Sequence, residues 1–139
     1  MNRSTILVPE RIRNTTYLYV AESPGKGRGI FTDNRILKGE LIEACPVLLF
    51  DDEEDARHID ATPLANYYYR WKEGINALAL GYGSLYNHSY HPNAYYRRNY
   101  ENQTLEIIAL RDIAPGEEIL INYNGDPSCK DPLWFPCSE

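Results

Sequence analysis

The sequence predicts a mainly β single domain with very little helix. Three observations carry that prediction. Short runs rich in β-branched and aromatic residues recur along the chain, Gly- and Pro-containing turns separate them, and only one stretch has the make-up of a helix. A chain of 139 residues is one domain by length and can bury a real core without metal or disulfide staples. Residues 1–139 therefore read as one unit, with a core over about 15–125 and a flanking segment over 126–139.

The elements follow in order. The first 13 residues carry Arg3, Arg11 and Arg13 and are expected to be loosely held. Thr15–Val20 reads as a strand. Ser23–Gly29 is a glycine-rich loop, after which Ile30-Phe31 resumes a short strand. Leu37–Glu40 is a turn into an apolar strand, Leu41–Phe50, which Pro46 should end or bulge. Five consecutive acids, Asp51–Asp55, precede Ala56-Arg57-His58-Ile59, and together they allow one short helix whose N-terminus tolerates the acids through its dipole. The acids read as a solvated face. Tyr67, Tyr69 and Trp71 alternate with Tyr68, Arg70 and Lys72, so Asn66–Lys72 reads as a strand that turns at Glu73-Gly74 into Ala77–Leu80. Ala94–Tyr100 and Thr104–Leu110 form a second hairpin. Glu117–Tyr123 is a last strand, and Asn124–Glu139 is irregular.

Composition narrows the function. A net charge of −6 argues against binding bulk nucleic acid and suits a basic partner. Cys45, Cys129 and Cys137 match no zinc spacing and are an odd number for a disulfide framework, so a reducing cytoplasmic or nuclear compartment is expected, with no metal. No secretory h-region and no run of 18 apolar residues is visible, so neither secretion nor a membrane span is expected. Nine of the 12 tyrosines lie between Tyr67 and Tyr100, most of them explicable as cross-strand packing.

Three segments carry candidate chemistry. Gly27-Arg28-Gly29 is either a tight turn or a loop whose amides approach a small anionic group, with Lys26 or Arg28 assisting. Asn87-His88-Ser89 with Pro92-Asn93 reads either as a self-capping polar turn or as a site loop. It has neither a metal-ligand spacing nor a serine-hydrolase elbow. Gly116-Glu117-Glu118 leads to a strand ending on Tyr123.

Taken in this order, Gly27-Arg28-Gly29-Ile30-Phe31, Leu37-Lys38-Gly39-Glu40-Leu41-Ile42, Gly81–Leu85, Asn87-His88-Ser89 with Pro92-Asn93, and Gly116-Glu117-Glu118 through Tyr123 resemble the SET domain of protein lysine methyltransferases over nearly the whole chain. The resemblance implies a β-clip type fold of several short-stranded sheets with a C-terminal pseudoknot, a rare threaded topology. It implies S-adenosyl-L-methionine as methyl donor, S-adenosyl-L-homocysteine as product, and a basic lysine-containing protein as substrate, histone-like or ribosomal in type. Monomer and homodimer both fit.

Position by position, the resemblance implies that Lys26, Gly27, Arg28, Gly29, Tyr86, Asn87, His88 and Tyr123 hold the donor. Tyr123 would be the catalytic tyrosine and Tyr96 a second channel tyrosine, with Tyr82 and Tyr90 as less certain channel members. The chemistry suits these residue types. A sulfonium-activated methyl needs alignment rather than a metal. A lysine amine titrates near 10.4 in water and must lose its proton, which an aromatic, poorly solvated channel favours. Phenol oxygens accept weak C–H···O contacts, and aromatic faces hold the incoming cation.

Two departures from the family pattern stand out. Many members carry a tyrosine in the strand after the Gly39-Glu40 turn. Here the chain reads Glu43-Ala44-Cys45-Pro46, so this tyrosine is absent and the number of methyl groups added is left open. Many members also close the site with a cysteine-rich zinc cluster, whereas here only Cys129 and Cys137 follow Tyr123. The tail instead offers Trp134, assigned to cover the donor, and Phe135, assigned to the substrate channel. These departures also motivate the rival reading, a non-catalytic interaction module that keeps the fold.

Overall fold

The computed structural model describes residues 16–137. Thr15 and the expected loose N-terminus lie outside the described residues. Among the described residues nine strands, one α-helix and one 3-10 turn follow one another, and the strands form three sheets.

The first sheet is the hairpin of β1 (Leu18–Ser23) and β2 (Gly27–Thr32), in register from Leu18 opposite Thr32 to Ser23 opposite Gly27. Its turn is tight because Gly25 and Gly27 both adopt φ of +78°, a conformation costly for a residue with a Cβ. The loop expected over Ser23–Gly29 is therefore mostly strand, and only Pro24–Lys26 turn.

The central sheet has the order β4-β5-β3-β8-β7. Its spine is β3 (Leu41–Phe50), which pairs antiparallel with β5 (Ile75–Ala79) along its second half and with β8 (Thr104–Ala109) along its first. Pro46 does not break β3. The irregularity lies instead between Leu41 and Glu43, where an extra residue shifts the register. The edges are β4 (Tyr69–Lys72) and β7 (Ala94–Asn99), the latter in register with β8 from Ala94–Ala109 to Asn99–Thr104. The strand expected over Asn66–Lys72 is shorter, because Pro63–Asn66 coil into a 3-10 turn capped by the Thr62 hydroxyl.

The helix α1 (Glu53–Asp60) is where the acidic run predicts it. The Asp52 side chain accepts from the Glu54 amide at 2.8 Å, and the acids of the first turn sit at the positive end of the dipole. No residue of α1 is buried, so its acids face solvent.

The third sheet positions the site. β6 (Asn87–His88) and β9 (Leu120–Ile121) are two residues each and run parallel. The strand expected over Glu117–Tyr123 contracts to β9 because residues 116–119 bond along β2 instead. Ile119 N–H donates to the Ile30 carbonyl at 2.8 Å, and Phe31 bridges Glu118. Buried Asn93 fixes the crossing. Its amide nitrogen donates to the Glu118 carbonyl at 2.7 Å and its amide oxygen accepts from Leu120 N–H at 2.8 Å, so the side chain acts as a strand partner. These bonds join segments that an expected pseudoknot would have to join. Fully buried Ile30, Ile36, Ile42, Ile107, Ile113 and Ile121 form the core between the sheets.

Candidate active site

Tyr123 follows β9 directly, and three bonds hold it. Its amide donates to His88 Nδ1 at 3.0 Å, its hydroxyl donates to the Tyr86 carbonyl at 2.5 Å, and its own carbonyl accepts from the Tyr96 hydroxyl at 3.3 Å. Burial is the main cause that pushes the Tyr123 hydroxyl up to about 12, with neighbouring negative charge such as Glu118 adding to it. At neutral pH this group is a neutral hydrogen-bond donor, not a base.

Two cavities meet at Tyr123. The smaller, about 240 Å³, is lined by Lys26, Asn87, His88, Phe135 and Cys137. The larger, about 370 Å³, is lined chiefly by tyrosines: Tyr67, Tyr68, Tyr69 and Tyr96 surround Tyr123, with Trp134 at the rim. Tyr69 meets Tyr96 edge-to-face at 5.0 Å, and its hydroxyl donates to the Gly83 carbonyl at 2.7 Å. Burial raises the Tyr69 hydroxyl well above its usual range and also raises that of Tyr96, against the lowering effect of Arg98.

The structure distributes the sequence-assigned residues as follows. Lys26, Asn87, His88 and Tyr123 come together at the smaller cavity, where the Lys26 ammonium donates to the His88 carbonyl at 3.1 Å. Gly27, Arg28 and Gly29 are not among its lining residues. Instead the Arg28 carbonyl accepts from Asn87 Nδ2 at 3.0 Å, and a Cβ on Gly29 would overlap the Glu118 carboxylate and lie 2.8 Å from Asn87 Nδ2. Glu118 gathers these parts by accepting from Ser23 at 2.7 Å and Asn87 at 2.8 Å. Tyr86 contributes its carbonyl, while its ring is buried in the core and its hydroxyl donates to Glu43 at 2.7 Å. Tyr82 and Tyr90 line neither cavity. Tyr82 packs on the core, and Tyr90 sets its ring edge on His88 at 4.5 Å while its hydroxyl donates to the Asp131 carbonyl.

The tail reaches both cavities. Trp134, assigned to the donor, lines the larger cavity, whereas Phe135, assigned to the channel, lines the smaller one. Both rings contact Tyr123, Trp134 stacked at 6.0 Å and Phe135 edge-on at 6.1 Å, and they meet each other edge-to-face at 5.0 Å. Tyr90, Asn122 and Asn124 hold this tail in place through bonds to the carbonyls of Cys129 and Asp131.

Sequence reasoning missed Glu43, Glu118 and the cavity role of Tyr67–Tyr69. Glu43 is 3% exposed, and its second oxygen accepts from the Tyr82 amide at 3.0 Å. A carboxylate inside an otherwise apolar strand was the available signal.

The SET-domain family model matches residues 27–124. A histone-lysine N-methyltransferase of Schizosaccharomyces pombe, specific for histone H3 lysine-37, is 40% identical over 118 residues, which is 85% of this chain and 76% of the relative. The crystal structure of a Plasmodium falciparum candidate histone methyltransferase superposes with a TM-score of 0.65 at 34% identity, covering 78% of this chain and 94% of that one. A Chaetomium thermophilum Polycomb Repressive Complex 2 structure, a humanized mutant bound to an inhibitor, shares the fold at 21% identity and a TM-score of 0.65, over 76% of this chain and 14% of that one. The chain belongs to the SET-domain family of protein lysine methyltransferases.

Proposed function

We propose that the chain transfers a methyl group from S-adenosyl-L-methionine to a lysine side chain of a basic, histone-type protein segment. The observation that carries this reading is Tyr123 lining both cavities with its hydroxyl fixed on the Tyr86 carbonyl. The smaller cavity suits the donor. Lys26 offers an ammonium for a carboxylate, His88 and Phe135 offer ring surface, and Asn87 holds the β1–β2 hairpin against the loop. When bound, the donor supplies a sulfonium-activated methyl, so that an N–C bond forms as the S–C bond breaks and S-adenosyl-L-homocysteine leaves.

The chain's own residues provide alignment and desolvation. The tyrosine walls of the larger cavity hold the aliphatic stem and disfavour the ammonium form of the target lysine. Tyr123 stays protonated and donates to Tyr86, which leaves its oxygen lone pairs facing the junction. The amine proton therefore leaves to solvent through the channel mouth before transfer. The S. pombe relative and the net charge of −6, with the acids of α1 on the surface, support a basic protein segment as substrate.

Calorimetry with S-adenosyl-L-methionine is the first test, and no binding at millimolar concentration would remove the enzyme reading. Tyr123→Phe is the second. It should lower kcat on a histone substrate by about 10²-fold or more, with the fold retained. The rise of rate with pH towards the lysine pKa should keep its shape in the variant, because Tyr123 titrates only near 12. Loss of that rise would make Tyr123 the proton acceptor and overturn its assigned role.

A further inference from the structure

The larger cavity would receive a cation, yet its charged lining is positive. Its lining residues include Arg70 and Arg98 and no Asp or Glu. Arg98 Nε donates to the Arg70 carbonyl at 2.6 Å, and its guanidinium lies over the Tyr96 ring at 5.5 Å and reaches the Tyr96 hydroxyl. Elsewhere Arg35, Arg97 and Arg111 are each paired with a carboxylate, while Arg28 and Arg57, like the two cavity arginines, are not. Among the described residues Arg70 and Arg98 have no such partner. Beside Arg70, Asp60 accepts from the Tyr68 hydroxyl. Strand alternation explains the contrast on β7: Arg97 faces out to Glu106, and Arg98 faces the cavity. In a protein of net charge −6, two guanidinium groups kept without carboxylates on one wall form a local electropositive site.

We propose that Arg70 and Arg98 form an anion-reading subsite that takes an acidic group of the substrate within about three residues of the target lysine. The placing of that group beside a lysine rests on the methyltransferase reading. The ligand chemistry is a planar or tetrahedral oxyanion, which a guanidinium binds through paired N–H donors. An Asp or Glu side chain supplies one form and a phosphorylated Ser or Thr the other. The acids of α1 would meet the more distant basic residues of the same segment, while the arginine wall reads its local anion.

The test uses the full chain with S-adenosyl-L-homocysteine present and short single-lysine peptides. Glu or phosphoserine is moved one position at a time from the lysine, against an all-neutral control. Binding is read by fluorescence anisotropy, and methyl incorporation is read in parallel with S-adenosyl-L-methionine. One register should bind about tenfold more tightly than the neutral peptide, and Arg70→Gln and Arg98→Gln should each cut that ratio towards unity. Higher salt should shrink it as well. A gain confined to phosphoserine identifies phosphate as the source, and an equal gain with Glu identifies a carboxylate. The proposal falls if no register exceeds the neutral peptide, if no peptide binds, or if the ratio survives in both variants. Methylation without any acidic preference would sink the subsite and leave the methyltransferase reading intact. Arginine-dependent acidic binding without methyl transfer would do the reverse. Arg70 is exposed, so Arg70→Gln keeps the test valid if Arg98→Gln fails to fold.

Discussion

Replacing Glu43 should damage both stability and turnover, and the two effects are separable. Glu43 is 3% exposed and accepts from the buried Tyr86 hydroxyl at 2.7 Å and from the Tyr82 amide at 3.0 Å. Glu43→Ala would orphan both donors, at about 1–3 kcal/mol each, and leave a small void. Relief from burying the carboxyl group offsets part of this, so the expected loss is about 3–4 kcal/mol. For a chain of this length that corresponds to a Tm lower by roughly 10 °C. Glu43→Gln keeps the shape. Its oxygen can accept from Tyr82 N–H and its nitrogen can donate to the Tyr86 phenol, so it should lose only about 1 kcal/mol. Urea denaturation measures both. The activity consequence follows because Glu43 fixes the Tyr82–Tyr86 segment, whose last carbonyl receives the Tyr123 hydroxyl. At temperatures where Glu43→Ala remains folded, kcat should fall while donor affinity changes little. An alanine variant within 0.5 kcal/mol of the parent, or a glutamine variant as poor as alanine, would refute this reasoning.

Three further expectations rest on single contacts. Gly29→Ala pushes a methyl into Glu118 and Asn87, so it should cost about 1–3 kcal/mol in urea melts and weaken donor binding; a neutral outcome would show that the hairpin can move. Trp134 is 62% exposed and stacks on Tyr123, so Trp134→Ala should leave Tm nearly unchanged but raise KM for a protein substrate several-fold, which steady-state kinetics would detect or exclude. Glu117 is held below its ordinary 4.5: burial opposes the shift, and bonds from Arg111 at 2.5 Å and the Ala114 amide at 2.8 Å prevail. Its folded value is depressed, so its stabilisation is present above pH 4.5 and lost as pH falls through that lower value; Glu117→Gln should therefore flatten the acid limb of the stability profile.

The strands of the central sheet were legible because alternation and turn residues act locally, as in the β7–β8 hairpin. The elements that build the site were less so. Residues 117–119 carry strand-like composition, but their partners are β2 and the Asn93 side chain, which local pattern does not reveal. Glu43 was hidden because the irregularity after Leu41 places Ile42 and Glu43 both inward and breaks the alternation that would have marked it. Tyr67–Tyr69 read as alternating strand faces, whereas the 3-10 turn before them frees all three to line one cavity. The placing of Trp134 and Phe135 at different cavities depends on where the tail is tied down, and those ties are carbonyl groups that carry no side-chain signature.

The pairing of β6 with β9 makes the site depend on a non-local closure of the chain. Strands β7 and β8 pair as a hairpin and β3 reaches β8 across the middle of the chain, whereas the walls around Tyr123 close only when residues 118–123 reach the Asn87–Asn93 loop. That step closes a long chain segment around contacts of two residues each, so it is slow relative to hairpin formation and weakly held until it is complete. Ligands that bridge the loop and the segment after β9 would act as fasteners of this junction, slowing its local opening more than global unfolding.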